Sequence, residues 1–254
     1  MSGASLQGRV VLLYGAGRAP GPAIALALAA RGATVAANDL SPILLDPLVE
    51  AARNLPGQVR SYVADAARGM PMRALLDEIL EDYGQIDVLI NNPRVQPETP
   101  LLDMDEWDWQ RTIEMNLHGP FLLTQRTARL MREQGGGLIL NITGGDDQPA
   151  RSGRAAYRAS QQALRALSLA AADELMAYNI RVITLCPDET AFPSPGEKDG
   201  GEVGGASSLL AKFAAYLCSY PTTEHAFRVY SSHIDPQPGA PWSDHGSLSA
   251  GVEE

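Results

Sequence analysis

Two rhythms of apolar positions alternate along the chain from residue 9 to about residue 186. Short runs that read as strands fall at Arg9–Gly15 (RVVLLYG), Ala33–Asp39, Gln58–Asp65, Ile86–Asn92, Gly137–Thr143 and Arg181–Pro187. Several are apolar almost throughout, as strands covered on both faces should be. Helical spacing fills the intervals, at about 20–31, 42–54, 70–83, 103–133 and 153–178. In the last of these Leu164, Leu167, Ala171, Leu175 and Tyr178 follow one face. Asp103, three residues before Glu106, resembles a helix cap with its reciprocal partner. Pro120 cannot donate to the carbonyl of Asn116, so a kink is expected inside the long fourth helix.

Strand–helix alternation of this kind implies right-handed crossovers and a doubly wound parallel sheet. The expected fold is a single Rossmann-type α/β domain of seven strands over residues 1–233. After Pro187 the pattern breaks into a Gly-, Pro- and charge-rich loop, then a helix around Ser207–Tyr220 and a strand at FRVYSSHI. Residues 234–254 form a Pro/Gly/Ser-rich tail.

Composition narrows the partners. The net charge of −10 argues against nucleic acid and anionic membrane. No apolar run is long enough to span a bilayer, and the first residues lack a leader pattern. Cys186 and Cys218 are too few for a disulfide framework, and the four histidines show no metal-ligand spacing. A cytoplasmic protein without a metal is the plain expectation. Only two lysines, Lys198 and Lys212, occur in 254 residues.

The first strand–helix turn, YGAGRAPG, carries Gly15, Gly17 and Gly21. Glycines there allow a tight turn and close approach of a pyrophosphate to a helix N-terminus. Asp39 ends the second strand, where a carboxylate accepts hydrogen bonds from an adenosine ribose. Five further motifs lie downstream: Asp65 after the third strand, NNPR from Asn91, MNLHGPF around Asn116, GGLILNITG, and AAYRAS around Tyr157.

Over residues 8–187 these motifs resemble those of the short-chain dehydrogenases/reductases. The resemblance implies an NAD(H) cofactor contacting Gly15, Arg18, Gly21, Asp39, Asp65 and Asn91; Asp39 would repel a 2′-phosphate and so favours NAD over NADP. It also implies a catalytic tetrad of Asn, Ser, Tyr and Lys. Asn116 and Tyr157 match. Gly144 stands thirteen residues before the tyrosine, where the serine belongs, and Gln161 stands four after it in place of the lysine. Thr143 beside Gly144 points to the opposite face of an extended segment. A tyrosine without a cation beside it ionises near ~10, so about one in a thousand is ionised at neutral pH.

Five replacements stand against cofactor binding. Ala19 adds a methyl group, and Pro20 has no N–H for the pyrophosphate. Pro93 and Arg94 replace small residues that line the cofactor, and Gln161 brings no charge. Asp188 also replaces the glycine of the family's Pro-Gly pair after the sixth strand.

The expected function is therefore a divergent family member without ordinary dehydrogenase catalysis. It would act as a binding or oligomer subunit, a homodimer or homotetramer, or a partner of an active homologue. Small residues at Ala155–Ala156 and Ala170–Ala172 permit the close helix contact the family uses. The alternatives are an NAD(H)-dependent oxidoreductase using Tyr157, and a non-redox enzyme reusing the cleft.

Overall fold

The computed structural model describes residues 5–144 and 152–186, residues 210–212, 214, 215, 217 and 218, and the backbone of residues 229 and 230. Elements follow in the order β1 (Val10–Tyr14), α1 (Gly21–Ala29), β2 (Thr34–Asp39), α2 (Pro42–Ala52), β3 (Gln58–Val63), α3 (Gly69–Tyr83) and β4 (Val88–Asn91). Then come α4 (Glu106–Ile113), α5 (Gly119–Gln134), β5 (Gly137–Ile142), α6 (Ala155–Leu175), β6 (Ile180–Leu185) and β7 (Val229–Tyr230). The seven strands form one parallel sheet in the order β3-β2-β1-β4-β5-β6-β7. The Asp188 substitution and the 234–254 tail lie outside the described residues.

Strand alternation builds two cores. Val11 and Leu13 of β1 pack with Ile24 and Leu28 of α1, Leu45 of α2 and the helical residues Leu210, Ala214 and Cys218. Val10, Leu12 and Tyr14 turn the other way, onto Leu75 and Ile79 of α3 and Leu123 and Met131 of α5. Both faces of β1 are thus buried, which explains a run with no polar member. Chain order reverses between β1 and β4, and in open sheets of this type ligands bind outside the strand C-termini at that point.

The expected helix 103–133 is broken in two. α4 and α5 are joined by a π-helical turn, Glu114–His118, in which the Gly119 N–H donates to the Glu114 carbonyl. The carbonyl reached from outside the helix is that of Met115, which accepts the Tyr14 hydroxyl at 2.9 Å. The helix cap is Asp105, whose carboxylate accepts from the Asp108 N–H at 2.7 Å; Asp103 lies before it in the preceding turn.

Burial governs several ionisable groups, Tyr14 and Cys218 among them. It raises the Tyr14 phenol well above its ordinary range, with Asp65 adding to the effect. It also pushes the Cys218 thiol up to about 12, against an opposing pull from Arg181, Arg31 and Arg9. Both groups stay protonated in the folded chain at a pH where the unfolded chain has released them. Their stabilisation is complete below the unfolded values, about 8.5 for the thiol and about 10 for the phenol, and is lost as pH rises toward the folded values. The melting temperature is expected to fall steadily between about pH 9 and pH 11. A flat profile across that window would contradict the assignment.

Candidate active site

The turn after β1 is shaped by what its backbone must avoid. Gly15 has φ +73°, and a Cβ there would run into the Asn92 carbonyl. A Cβ on Gly17 would lie 2.5 Å from Leu44 Cβ and 2.8 Å from the Asp39 carboxylate. These glycines therefore serve contacts within the chain itself.

Most N–H groups of the turn are already used. Gly15 and Ala16 both donate to the Asn38 carbonyl at 3.0 Å, and Gly21 donates to the Arg18 carbonyl at 2.8 Å. Gly17 donates to Asp39 Oδ2 at 3.0 Å. Pro20 sits at the N-cap of α1 and Pro22 in its first turn, and neither has an N–H. Among the described residues this leaves the N–H groups of Arg18, Ala19 and Ala23 without a backbone acceptor.

A cleft of about 380 Å³ opens beside the turn. Gly15, Arg18, Asp39, Asn92, Pro93 and Arg94 line it from the sheet, and Trp107 and Arg111 from α4. Asp39 is held firmly, since its Oδ1 also accepts the Leu40 N–H at 2.7 Å. Asn92 Nδ2 donates to the carbonyls of Gly15 and Arg18 at 2.8 and 3.2 Å, clamping the turn to β4. Asp65 is placed differently from its expected role. Its Oδ1 accepts the Ala67 N–H and its Oδ2 takes Arg111 Nη2 at 3.2 Å, so the guanidinium rather than the carboxylate lines the cleft. Glu114 continues this network to Arg111 and Arg68.

Asn91, expected to contact a cofactor, turns into the core. Its Nδ2 donates to Asn141 Oδ1 at 2.7 Å, and Asn141 Nδ2 donates to Ser168 Oγ at 2.7 Å. This chain of bonds ties β4, β5 and α6 together, and the cleft is lined by the neighbouring Asn92 instead.

The four tetrad positions meet at the C-terminal end of β5. Asn116 is fully buried: its Oδ1 accepts the Val95 N–H at 2.8 Å, and its Nδ2 donates to the Val95 carbonyl at 2.7 Å and to Ser160 Oγ at 3.0 Å. Ser160 in turn donates to the Tyr157 carbonyl at 2.7 Å. Gly144 faces the tyrosine, and a Cβ at that position would lie 3.0 Å from Tyr157 Oη. Its N–H donates to Gln161 Oε1 at 2.9 Å. Among the described residues Gln161 Nε2 is buried without a hydrogen-bond partner. Thr143 turns away, its Oγ1 2.9 Å from Cys186 Sγ. The lysine position thus holds a neutral amide latched to the backbone where a serine would be.

Three contributors carry no clear signal in the sequence. Ser160 lies three residues after Tyr157, a spacing that shares its helix face. Trp107 and Arg111 are an i,i+4 pair on α4, but nothing local says that α4 leans over the turn.

A family model for the short chain dehydrogenases matches residues 9–198. The chain belongs to that family. It is 36% identical over 182 residues to the 3-oxoacyl-(acyl-carrier-protein) reductase FabG of Thermotoga maritima, covering 72% of this chain and 74% of that one. It is 33% identical over 182 residues to D-threitol dehydrogenase of Mycolicibacterium smegmatis, covering 72% and 70%. Among solved structures, a metagenomic short-chain oxidoreductase in complex with NADP aligns with a TM-score of 0.79 at 27% identity, over 90% of this chain and 98% of that one. NAD+-bound xylitol dehydrogenase aligns with a TM-score of 0.68 at 33% identity, over 72% and 71%. Short-chain dehydrogenases of known structure thus bind NAD+ or NADP on this framework. Among the described residues no helix is long and apolar enough to cross a membrane.

Proposed function

We propose that this chain is a ligand-binding member of the short-chain dehydrogenase family that does not perform ordinary carbonyl–alcohol redox chemistry. The Gly144–Gln161 latch carries the reading. A cation at position 161 would favour ionisation of a neighbouring phenol, and the amide supplies none. A hydroxyl at position 144 would polarise a substrate carbonyl, a contribution of roughly 10²–10³ in rate at comparable sites. The residues fit the adenosine end of a nicotinamide dinucleotide, through Asp39 and the cleft; Pro20 withdraws one N–H donor from its pyrophosphate end, and Gln161 brings no charge to its nicotinamide end.

The same reading makes the chain an oligomer subunit. α5 and α6 expose a groove of about 330 Å³ that includes Phe121, Ala128, Leu167, Ala170 and Ala171. Small and apolar side chains on two long neighbouring helices suit a second copy or a homologous chain.

An NAD(H)-dependent oxidoreductase is the second reading, favoured by the retained Asn116–Ser160–Tyr157 frame and by relatives named as reductases and dehydrogenases. Steady-state assays with NADH, NADPH and a panel of ketones separate the two. Turnover is expected to stay at background and to be equal in wild type and Tyr157→Phe, while light scattering gives a dimer or tetramer mass. Turnover that disappears in Tyr157→Phe would establish the oxidoreductase instead, and a monomer mass would remove the subunit role.

A further inference from the structure

α4 is attached to the molecule differently from the helix that follows it. Of its eight residues only Thr112 is buried, and the Thr112 hydroxyl donates to the Asp108 carbonyl within the helix. Trp107 and Trp109 stay exposed, as do Leu101 and Leu102 in the turn before the helix. α5, by contrast, buries Leu123, Ala128 and Met131. An element with so little apolar burial belongs to the least stable part of a fold and takes its place from polar contacts.

Those contacts converge on one side chain. Arg111 Nη2 lies 3.2 Å from Asp65 Oδ2, and its Nη1 lies 3.5 Å from Glu114 Oε2. Glu114 in turn reaches Arg68 at 3.1 Å. Asp65 and Arg68 sit between β3 and α3, so the network fastens α4 to that connection. Thr99 also donates to Asp108, but it lies in the segment that leads into α4. α4 rests against α6 as well, a contact that packed helices keep while they slide.

From Met115 onward the chain is anchored. The Met115 carbonyl accepts the Tyr14 hydroxyl, and buried Asn116 bonds to Val95 and Ser160. The π-helical turn Glu114–His118 thus divides a thinly packed helix from a firmly packed one. Such a turn holds an extra residue and breaks the regular ladder of bonds, which is where helices kink.

We infer that α4 is a flap over the cleft, hinged at the π-helical turn and clasped by the Arg111–Asp65 ion pair. The flap carries Trp107, Asp108, Arg111 and Thr112 of the cleft lining. Release of the clasp swings these side chains away from Leu40 and Leu44 on the β2–α2 wall and widens the way in. An occupant seated between Leu44 and Trp107 takes both apolar walls out of water and holds the flap down. The inference concerns access alone, and it stands whether or not the chain performs redox chemistry.

Spin labels at Ile43→Cys and Leu102→Cys test it in the full, ligand-free chain, at positions whose native side chains are 77% and 97% exposed. Ile43→Cys with Glu133→Cys, near the end of α5, is the reference pair. Cys186 and Cys218 are buried and should take up no label. Double electron–electron resonance is expected to show one dominant 43–102 distance in the otherwise unchanged chain. Arg111→Ala should shift the ratio of a longer distance to this one about tenfold, with the 43–133 distance unchanged. Asp65→Asn should do the same, because it keeps an oxygen for the Ala67 N–H and removes the charge that holds Arg111. An unchanged 43–102 distribution in both variants would overturn the inference. So would a 43–133 distance that moves in step with it, since the motion would then not stop at the π-helical turn. Loss of the fold in both variants would count against it too, because releasing a flap leaves the core intact.

Discussion

Gly144→Ser combined with Gln161→Lys is expected to raise NADH-dependent ketone turnover by about 10²–10⁴-fold over wild type. The serine hydroxyl supplies a donor for the substrate oxygen, and the lysine favours the ionised form of Tyr157. Neither change alone is expected to suffice. Gln161→Lys by itself removes the acceptor of the Gly144 N–H and buries a cation where a latched amide now fits. Gly144→Ser by itself places a Cβ 3.0 Å from Tyr157 Oη, so the ring must shift by a few tenths of an ångström. The gain should appear in kcat. The KM for NADH should stay high because Pro20 and Pro22 remain, and Pro20→Gly added to the double variant should lower it. A double variant that folds and stays at background would show that the loss of chemistry lies outside the tetrad.

Asn116→Ala is expected to cost about 2–5 kcal/mol of stability, because it strands both the N–H and the carbonyl of Val95. For a domain of this size that lowers the melting temperature by about 10 °C. The loss has a functional side, since Val95 and the adjoining Pro93 and Arg94 line the cleft. Ligand binding there should weaken even at temperatures where the variant is folded. Ser160→Ala serves as the contrast, because it removes one partner of Asn116 and leaves both Val95 bonds in place. It should destabilise by about 1 kcal/mol. Equal losses in the two variants would place the weight on the Asn116–Ser160 contact rather than on the segment after β4.

The tetrad positions were legible because they sit at fixed intervals along regular elements. Gly144 precedes Tyr157 by thirteen residues and Gln161 follows it by four, and the structure brings all three together. Thr143 was separable from Gly144 because neighbouring residues of an extended segment face opposite ways, and its hydroxyl does lie against Cys186. The break near Asn116 was legible from Pro120, although its form was not. A proline announces a missing donor, but the π-helical turn moves the carbonyl it frees by one residue, to Met115, which accepts the Tyr14 hydroxyl from β1. Asn91 and Asp65 show the opposite case. Their types suit cofactor contacts, yet Asn141 claims one and Arg111 the other, from 50 and 46 residues away.

By itself the sequence determined the alternation of strand and helix, the burial of β1 on both faces, the glycine turn and the two vacancies in the tetrad. Each is set by local periodicity, steric demand or residue identity at a fixed spacing. Only the tertiary structure decided which polar groups are already spent. The N–H groups of Gly15, Ala16, Gly17 and Gly21 go to Asn38, Asp39 and Arg18, Asn91 goes to the core, and Arg111 takes the place of Asp65 at the cleft. A hydrogen-bonding group serves whichever partner packing brings within about 3 Å, and that distance is set by elements far apart in the chain.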